Sequence, residues 1–229
     1  VDFKSPHSEA IKRIKQNSFV LDIGCNDGTV ANELIKKKNC KVIGADQEIK
    51  NLKYEITQFQ KIDLDNSFPD IKYDEVDYIL ILDVIEHIKD PESFMSKLYQ
   101  KVSDNEKVEI IISTGNISFI IIRLMLLFGF FNYGKRGILD RTHTRLFTFN
   151  SMRSLIKGSN FKIKEVLGIP CPFPIVLKSK SISKILLNIN SCLIFLSKSI
   201  FSYQMFLTIK PYASLELILK KAQKRFNKK

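Results

Sequence analysis

The sequence predicts a doubly wound, mostly parallel α/β sheet. Strand-like apolar runs alternate with helically spaced segments over the first two-thirds of the chain. One run, Asp77-Tyr-Ile-Leu-Ile-Leu82, is continuously apolar after its first residue, as a strand buried on both faces requires. The first run ends on glycines, where the backbone can turn sharply from strand to helix. At 229 residues, the chain is the size of one such domain with an appendage. With 45% hydrophobic and 26% charged residues it can bury a full core, which excludes disordered, collagen-like and coiled-coil classes.

Phe19-Val-Leu-Asp-Ile23 is the first strand. Thr29 to Lys38 carries Val30, Leu34 and Ile35 at helical spacing and ends in lysines, which suit a helix C-terminus. A second strand begins at Lys41, a third short one precedes Asp63, and residues 77–82 form the fourth. Asp90-Pro91-Glu92 reads as an N-cap, a first-turn proline and an acid at the positive end of a helix that runs to about Val102. Lys107 to Ser113 is the fifth strand, and Asn150 to Lys157 is a helix stopped at Gly158. Phe161–Leu167 and Tyr203–Lys210 complete a seven-stranded sheet with right-handed crossovers. Two segments exceed a minimal sheet, 116–149 and 171–201. The second carries Ile182, Ile185, Leu186, Ile189, Leu193, Leu196 and Ile200, a helical stripe. The expected organisation is one domain, 1–210, with lid insertions at 116–149 and 171–201. A basic C-terminal helix, 211–229, follows.

The net charge of +12 is unevenly spread. Residues 1–110 hold 16 basic and 21 acidic side chains, net −5, whereas residues 111–229 hold 20 and 3, net +17. The second half is therefore expected to meet an anionic partner, unless the excess merely reflects a lysine-rich proteome. Cys25, Cys40, Cys171 and Cys192 form no CxxC pair and no histidine cluster accompanies them, which argues against a zinc site, so no metal is expected. Four cysteines in a chain this long are no disulfide framework, so a reducing, cytoplasmic compartment is expected. No apolar leader opens the sequence, and there is no initiator Met, so trimming is expected. The most apolar run, Ile117 to Phe131, is interrupted by Arg123 and falls short of the ~18 residues of a membrane span.

The chemistry sits at strand ends. The first strand runs into Asp22-Ile-Gly24-Cys25-Asn26-Asp27-Gly28. Glycines there let a ligand approach the backbone and the amides of a helix N-terminus. A pyrophosphate-binding turn would read GxGxxG; carboxylates at Asp22 and Asp27 would repel a phosphate and suit a ligand with a positive amino group. Asp46 ends the second strand, beside Gln47, placed to accept both hydroxyls of a ribose. Asp63 follows the third strand and can accept from an adenine amino group, while the Leu64 amide can meet the ring. Asp83 ends the fourth, in Leu82-Asp83-Val84-Ile85-Glu86-His87. Alone, each acid reads as a cap or a solvated loop; four after four successive strands do not.

On VLDIGCNDG (20–28), VIGAD (42–46), IDL (62–64) and LDVIEHIKDP (82–91), the chain resembles the Rossmann-like class I S-adenosylmethionine-dependent methyltransferases. The match covers roughly Phe19 to Ser113. It implies S-adenosyl-L-methionine as cofactor. Asp22 and the 24–28 turn would hold its methionine part, Asp46 and Gln47 the ribose, and Asp63 with Leu64 the adenine; Asp83 belongs to the same set. Asn26 stands where the family has a glycine. The stretch Gly137-Ile-Leu-Asp140-Arg-Thr-His143-Thr-Arg145-Leu-Phe-Thr148 resembles a GxLDxTHxRxFT segment of methyltransferases from polysaccharide and glycolipid gene clusters.

The expected activity is methyl transfer to a small-molecule or lipid-linked acceptor (a sugar or quinone-like group), at oxygen. A hydroxyl acceptor benefits from a general base, and His143 and His87 are the candidates. The alternative for His143 is a structural role beside Asp140. Apolar segments edged by Lys178, Lys180, Lys184, Lys198 and the tail's Lys220, Lys221, Lys224 and Arg225 leave two readings open. One is peripheral association with an anionic membrane surface, at its inner face; the other is packing of lid helices over the cleft. A nucleic-acid methyltransferase is disfavoured: Asp83-Val-Ile-Glu86 replaces the Asn/Asp-Pro-Pro-aromatic stretch of base-modifying enzymes, and an acidic rim repels a phosphate backbone. An NAD-dependent enzyme lacks its GxGxxG and its Tyr-x-x-x-Lys pair. A non-catalytic methyltransferase-like subunit stays open because of Asn26.

Overall fold

A computed structural model of the protein describes residues 3–48, 52–54, 56–177, 179–215, 217–219 and 223. The chain opens with α1 (Pro6–Arg13), then β1 (Phe19–Ile23), α2 (Thr29–Lys38), β2 (Lys41–Asp46), β3 (Gln58–Lys61) and β4 (Tyr78–Leu82). It continues through α3 (Pro91–Val102), β5 (Glu109–Gly115), α4 (Ile120–Leu127), α5 (Phe149–Gly158) and β6 (Phe161–Ile169). The last elements are α6 (Phe173–Val176), α7 (Lys180–Leu196), α8 (Lys198–Phe201) and β7 (Gln204–Pro211).

The seven strands form one sheet in the order β3-β2-β1-β4-β5-β7-β6. The first five are parallel; β7 alone runs against both neighbours, β5 and β6. Alternate residues of each strand feed two cores, one per face. Leu21, Ile23, Ile79 and Ile81 meet α3 and α5 through Phe94, Met95, Leu98, Met152 and Ile156. Val20, Tyr78, Leu80 and Leu82 meet α1 and α2 through Ala10, Ile14, Val30, Ala31 and Leu34.

Caps set the helix limits. Asn39, at φ 52°, ends α2 and donates to the Ile35 and Leu34 carbonyls. The Asp90 side chain accepts from Ser93 N at 2.9 Å, with Pro91 behind it. Thr148 and Ser151 form a reciprocal capping box on α5. Helix α1 was not foreseen. Its sequence is short and polar, but Ser5 and Ser8 cap it reciprocally, and Arg13 ties it down. Arg13 bonds Glu9 at 2.8 Å and grips both Glu165 oxygens at 2.8 and 2.9 Å, joining α1 to β6. Burial alone would raise the Glu9 carboxyl, but Arg13 and Lys12 hold it below the usual range.

The insertions behave differently from lid helices packed into a core. Both lie at one end of the sheet: 116–149 runs from Gly115, the end of β5, to α5, and 171–201 runs between Ile169, the end of β6, and Gln204, the start of β7. Helix α7 turns Ser183, Asn190 and Ile194 inward. Asn190 accepts from Cys171 N and donates to Phe201 O, and Ser183 donates to Ser179 O. Of the anticipated stripe, Ile182, Ile185, Ile189 and Leu196 are exposed, and Leu186, Leu193 and Ile200 are half-buried. Helix α4 likewise buries Ile122 and exposes Ile121, Leu124, Leu126 and Leu127. The tail begins at the opposite end, where Ser214 bonds Ser103 O and the Asp104 carboxylate. Leu215, residues 217–219 and Gln223 are helical. Lys178, Lys220, Lys221, Lys224 and Arg225 lie outside the described residues.

Buried Asn105 clips two strand entrances together. Its Nδ2 donates to Tyr73 O and Val76 O, both at 2.7 Å, and its Oδ1 accepts from Lys107 N and Val108 N. Asn105→Ala strands these backbone groups, so the urea midpoint should fall by the equivalent of about 2–3 kcal/mol, with the m-value unchanged.

Candidate active site

The glycine turn after β1 keeps a tight shape. Gly24 and Gly28 have φ of 74° and 79°, and a Cβ on Gly24 would come within 2.3 Å of Val84 Cγ2. Asn26 has φ 46°, a left-handed conformation that asparagine tolerates better than most residues, so the turn stands without a third glycine. Its N–H donates to Asp46 Oδ2 at 2.8 Å, which fastens the turn to the end of β2. Asp27 accepts from Thr29 N and Oγ1 at the start of α2 and pairs with Lys53, so its carboxyl lies below the usual range.

Two cavities meet at this turn, sharing Gly24, Asn26 and Asp83. One, of about 410 Å³, is lined by Asp46, Gln47, Leu64, Asp65, Val84, His87 and Ile88 as well. The other, of about 270 Å³, adds His7, Asp22, Cys25, Asp27, Thr29, Val30 and Leu82. The crevice thus lies beyond the carboxyl ends of β1, β2 and β4, where doubly wound sheets bind their ligands.

Asp22 is 3% exposed, and its Oδ2 has no hydrogen-bond partner among the described residues. Burial, and secondarily the charge of Asp46, push its carboxyl up to about 7. Burial likewise pushes the Cys25 thiol up to about 12, so it stays protonated; Cys25 serves the turn through its backbone, donating to Ala45 O. Asp83, at φ 55°, is held from three sides. Its N–H donates to Ser113 O and Oγ, its Oδ1 accepts from Ser113 Oγ at 2.7 Å, and its Oδ2 accepts from Gln204 Nε2 at 2.9 Å. Beneath it, burial and then the Asp83 charge raise the Glu86 carboxyl well above its usual value.

The sequence-predicted residues do not all converge. Asp22, Gly24, Cys25, Asn26, Asp46, Gln47, Leu64, Asp83 and His87 line the two cavities; Gly28 caps α2 behind them. Asp63 faces a neighbouring depression with Gln47, Glu48, Lys61 and Ile62. Its carboxylate closes the 63–66 turn, accepting from Asp65 N, from Asn66 Nδ2 at 2.7 Å and from Gln47 Nε2. The acid in the cleft wall there is Asp65, which sequence reasoning passed over. His7 of α1, Ser113 and Gln204 were also missed; only proximity reveals them.

The two histidines come together. Their rings lie 4.8 Å apart, edge to face. His87 Nδ1 is 3.2 Å from Thr142 O, and His143 Nδ1 is 3.0 Å from Ile138 O. A carbonyl only accepts, so each Nδ1 carries a proton, and a neutral imidazole in that tautomer has its lone pair on Nε2. Burial, the main cause, and neighbouring His87 lower the His143 pKa against the opposing pull of Ile138 O, Asp140 and Asp83. Thr144 and Arg145 donate backbone N–H groups to Glu86 O, which lays the 137–148 segment against the residues after β4. Asp140 accepts from Thr142 N and Oγ1, so its carboxyl sits low.

A doubly wound sheet with this glycine turn and these strand-tip acids is the class I methyltransferase architecture. The family described as methyltransferase domain matches residues 3–166, and the chain belongs to it. Among curated relatives, (S)-tetrahydroprotoberberine N-methyltransferase of Eschscholzia californica is 37% identical over 94 residues. That match covers 38% of this chain and 27% of the relative, so the chain spans about a quarter of the relative's length. A solved SAM-dependent methyltransferase from Archaeoglobus fulgidus shares the fold at TM-score 0.60 and 19% identity, covering 89% of this chain and 90% of that one. Phosphoethanolamine N-methyltransferase 2 of Haemonchus contortus, solved with S-adenosyl-L-methionine, superposes at TM-score 0.56 and 16% identity, over 90% of this chain and 51% of that one.

The residues present fit S-adenosyl-L-methionine. The partnerless Asp22 oxygen suits its ammonium, Gly24 and Asn26 of the turn line both cavities, and Asp46 and Asp65 offer acceptors for hydroxyl and amino donors. Asp22 has a testable signature. A cationic ligand favours its ionised form, so affinity should rise on the order of tenfold from pH 6 to 8 by calorimetry, with proton release. Asp22→Asn should weaken binding and flatten that profile. For the ligand-free protein the sign reverses. A carboxyl raised from 3.8 to about 7 contributes stability below the first value and loses it as pH climbs through the second.

Proposed function

We propose that the protein methylates a hydroxyl oxygen of a small-molecule or lipid-linked acceptor, with His143 as general base. When bound, S-adenosyl-L-methionine supplies an electrophilic sulfonium methyl. The chain's own work is then to bind, to align and to take one proton. Asp22, Asp46, Leu64 and Asp65 hold the donor side of the crevice. Rigid placement of the acceptor can contribute ~7–11 kcal/mol to the rate.

The observation that carries the reading is the histidine pair beside the crevice: His87 lines it, and the His143 ring packs 4.8 Å from the His87 ring, outside the lining itself. The lowered His143 pKa keeps its imidazole neutral at pH 7, and Ile138 O fixes the tautomer that leaves Nε2 free to accept the hydroxyl proton. His87, in the cleft wall, packs against that ring and shapes the approach. A second reading, transfer to nitrogen, draws on the printed names of the N-methyltransferase relatives. It needs no base, because an amine attacks through its own lone pair.

Incubation with labelled S-adenosylmethionine and cell extract, followed by identification of the labelled product, distinguishes an O-methyl ether from an N-methylamine. For oxygen transfer, His143→Ala should lower kcat by about 10²-fold and leave S-adenosylmethionine affinity unchanged. The acid limb of kcat/KM should fall below the pH of a free imidazole. A larger kcat loss in His87→Ala would move the base to that residue; N-methylated product would refute oxygen transfer.

A further inference from the structure

We propose that the outward faces of α4 and α7 dock the protein on an anionic membrane surface, at the end of the sheet where the cleft opens. The inference stands on exposure and charge, independently of which atom is methylated.

Helix α7 turns Ser183 and Asn190 inward beside Ile194 and leaves Ile182, Ile185, Ile189, Phe195 and Leu196 exposed, unlike a helix whose apolar face is packed on its own core. Four strongly exposed apolar side chains sit at the C-terminal ends of two helices. Leu127 and Phe128 are 76% and 72% exposed at the end of α4, and Phe195 and Leu196 are 90% and 76% exposed at the end of α7. The two helices share one base. Cys171, leading into α6 and α7, packs against the apolar cluster under α4, and Asn116 Nδ2 donates to Ser199 O and Ser202 O around α8. Apolar patches of this kind mark interaction sites.

Charge selects the occupant. The two insertions, 116–149 and 171–201, hold nine basic residues and one acid, Asp140. Lys180, Lys184 and Lys198 are exposed along α7 and α8, and Arg123 on α4. A second copy across a two-fold axis would set these cations against their own equivalents. Anionic headgroups would instead pair with them while the apolar tips enter the acyl boundary. No helix among the described residues is long and apolar enough to cross a membrane, so the contact is interfacial. The consequence is that an acceptor carried on a lipid would reach the cleft without leaving the bilayer.

The test is flotation of the full chain with two kinds of vesicle, phosphatidylcholine alone and equal parts phosphatidylcholine and phosphatidylglycerol, at low salt. The protein should float with the anionic vesicles and stay behind with the neutral ones. Combined Leu127→Ser and Phe195→Ser substitutions should weaken partitioning on the order of tenfold or more, as loss of two inserted apolar side chains requires. Combined Lys180→Glu, Lys184→Glu and Lys198→Glu substitutions should abolish the preference for anionic lipid. Unchanged S-adenosylmethionine binding shows that the variants fold. A wild-type chain that stays in the soluble fraction overturns the proposal, as do variants that float like wild type. So does a dimer in sedimentation equilibrium that the Leu127→Ser/Phe195→Ser variant loses, which would assign the face to a second copy. Flotation without S-adenosylmethionine binding would leave docking intact and remove the enzymatic reading.

Discussion

The crevice is organised around a carboxylate that its own fold leaves without a counter-charge. Asp22 is carried inside the sheet by β1, two residues before Gly24, and no basic side chain among the described residues offsets its burial. Asp46 lies near enough to add repulsion, and on the far side Glu86 is raised in turn by Asp83. Such a grouping costs stability. A sheet selected only to fold would have replaced it with apolar residues. Asp22, Asp46 and Asp83 at three adjacent strand tips suit a ligand that brings positive charge and hydrogen-bond donors together.

Two residues of the crevice are also fixed by strained backbone. Asn26 and Asp83 both occupy left-handed conformations, and each is pinned from outside its own segment. Asn26 is pinned by Asp46, and Asp83 by Ser113 and Gln204. Gln204 belongs to β7, far along the chain. The donor side of the crevice is therefore built from the parallel half of the sheet but braced by its antiparallel edge. Strain of this kind persists only where surrounding contacts over-determine it.

Much of this was legible in the sequence, for physical reasons. Strands β1, β2 and β4 announce themselves because full burial demands unbroken apolar runs, and Asp90-Pro91 and Gly28 mark helix starts by local chemistry. What depends on distant partners was not legible. Helix α1 has little apolar signal of its own and is secured by Arg13 reaching Glu165. Asp63 and Asp65 are two residues apart in a polar loop; which of them faces the cleft is decided by the 63–66 turn, where Asn66 and Gln47 claim Asp63. The stripe on α7 was read correctly as a helical face. Periodicity gives the existence of a face but not its direction, and the inward hydrogen bonds of Ser183 and Asn190 set that.

The reversed course of β7 separates the two ends of the second half of the chain. Because it enters beside Gly115 and exits beside Phe161, the chain leaves Pro211 at the floor of the sheet and Ser214 sits against the end of α3, while the insertions crown its roof. A fusion partner or purification handle grafted after Ser214 would hang beneath the domain, clear of both the crevice and the oily helix tips.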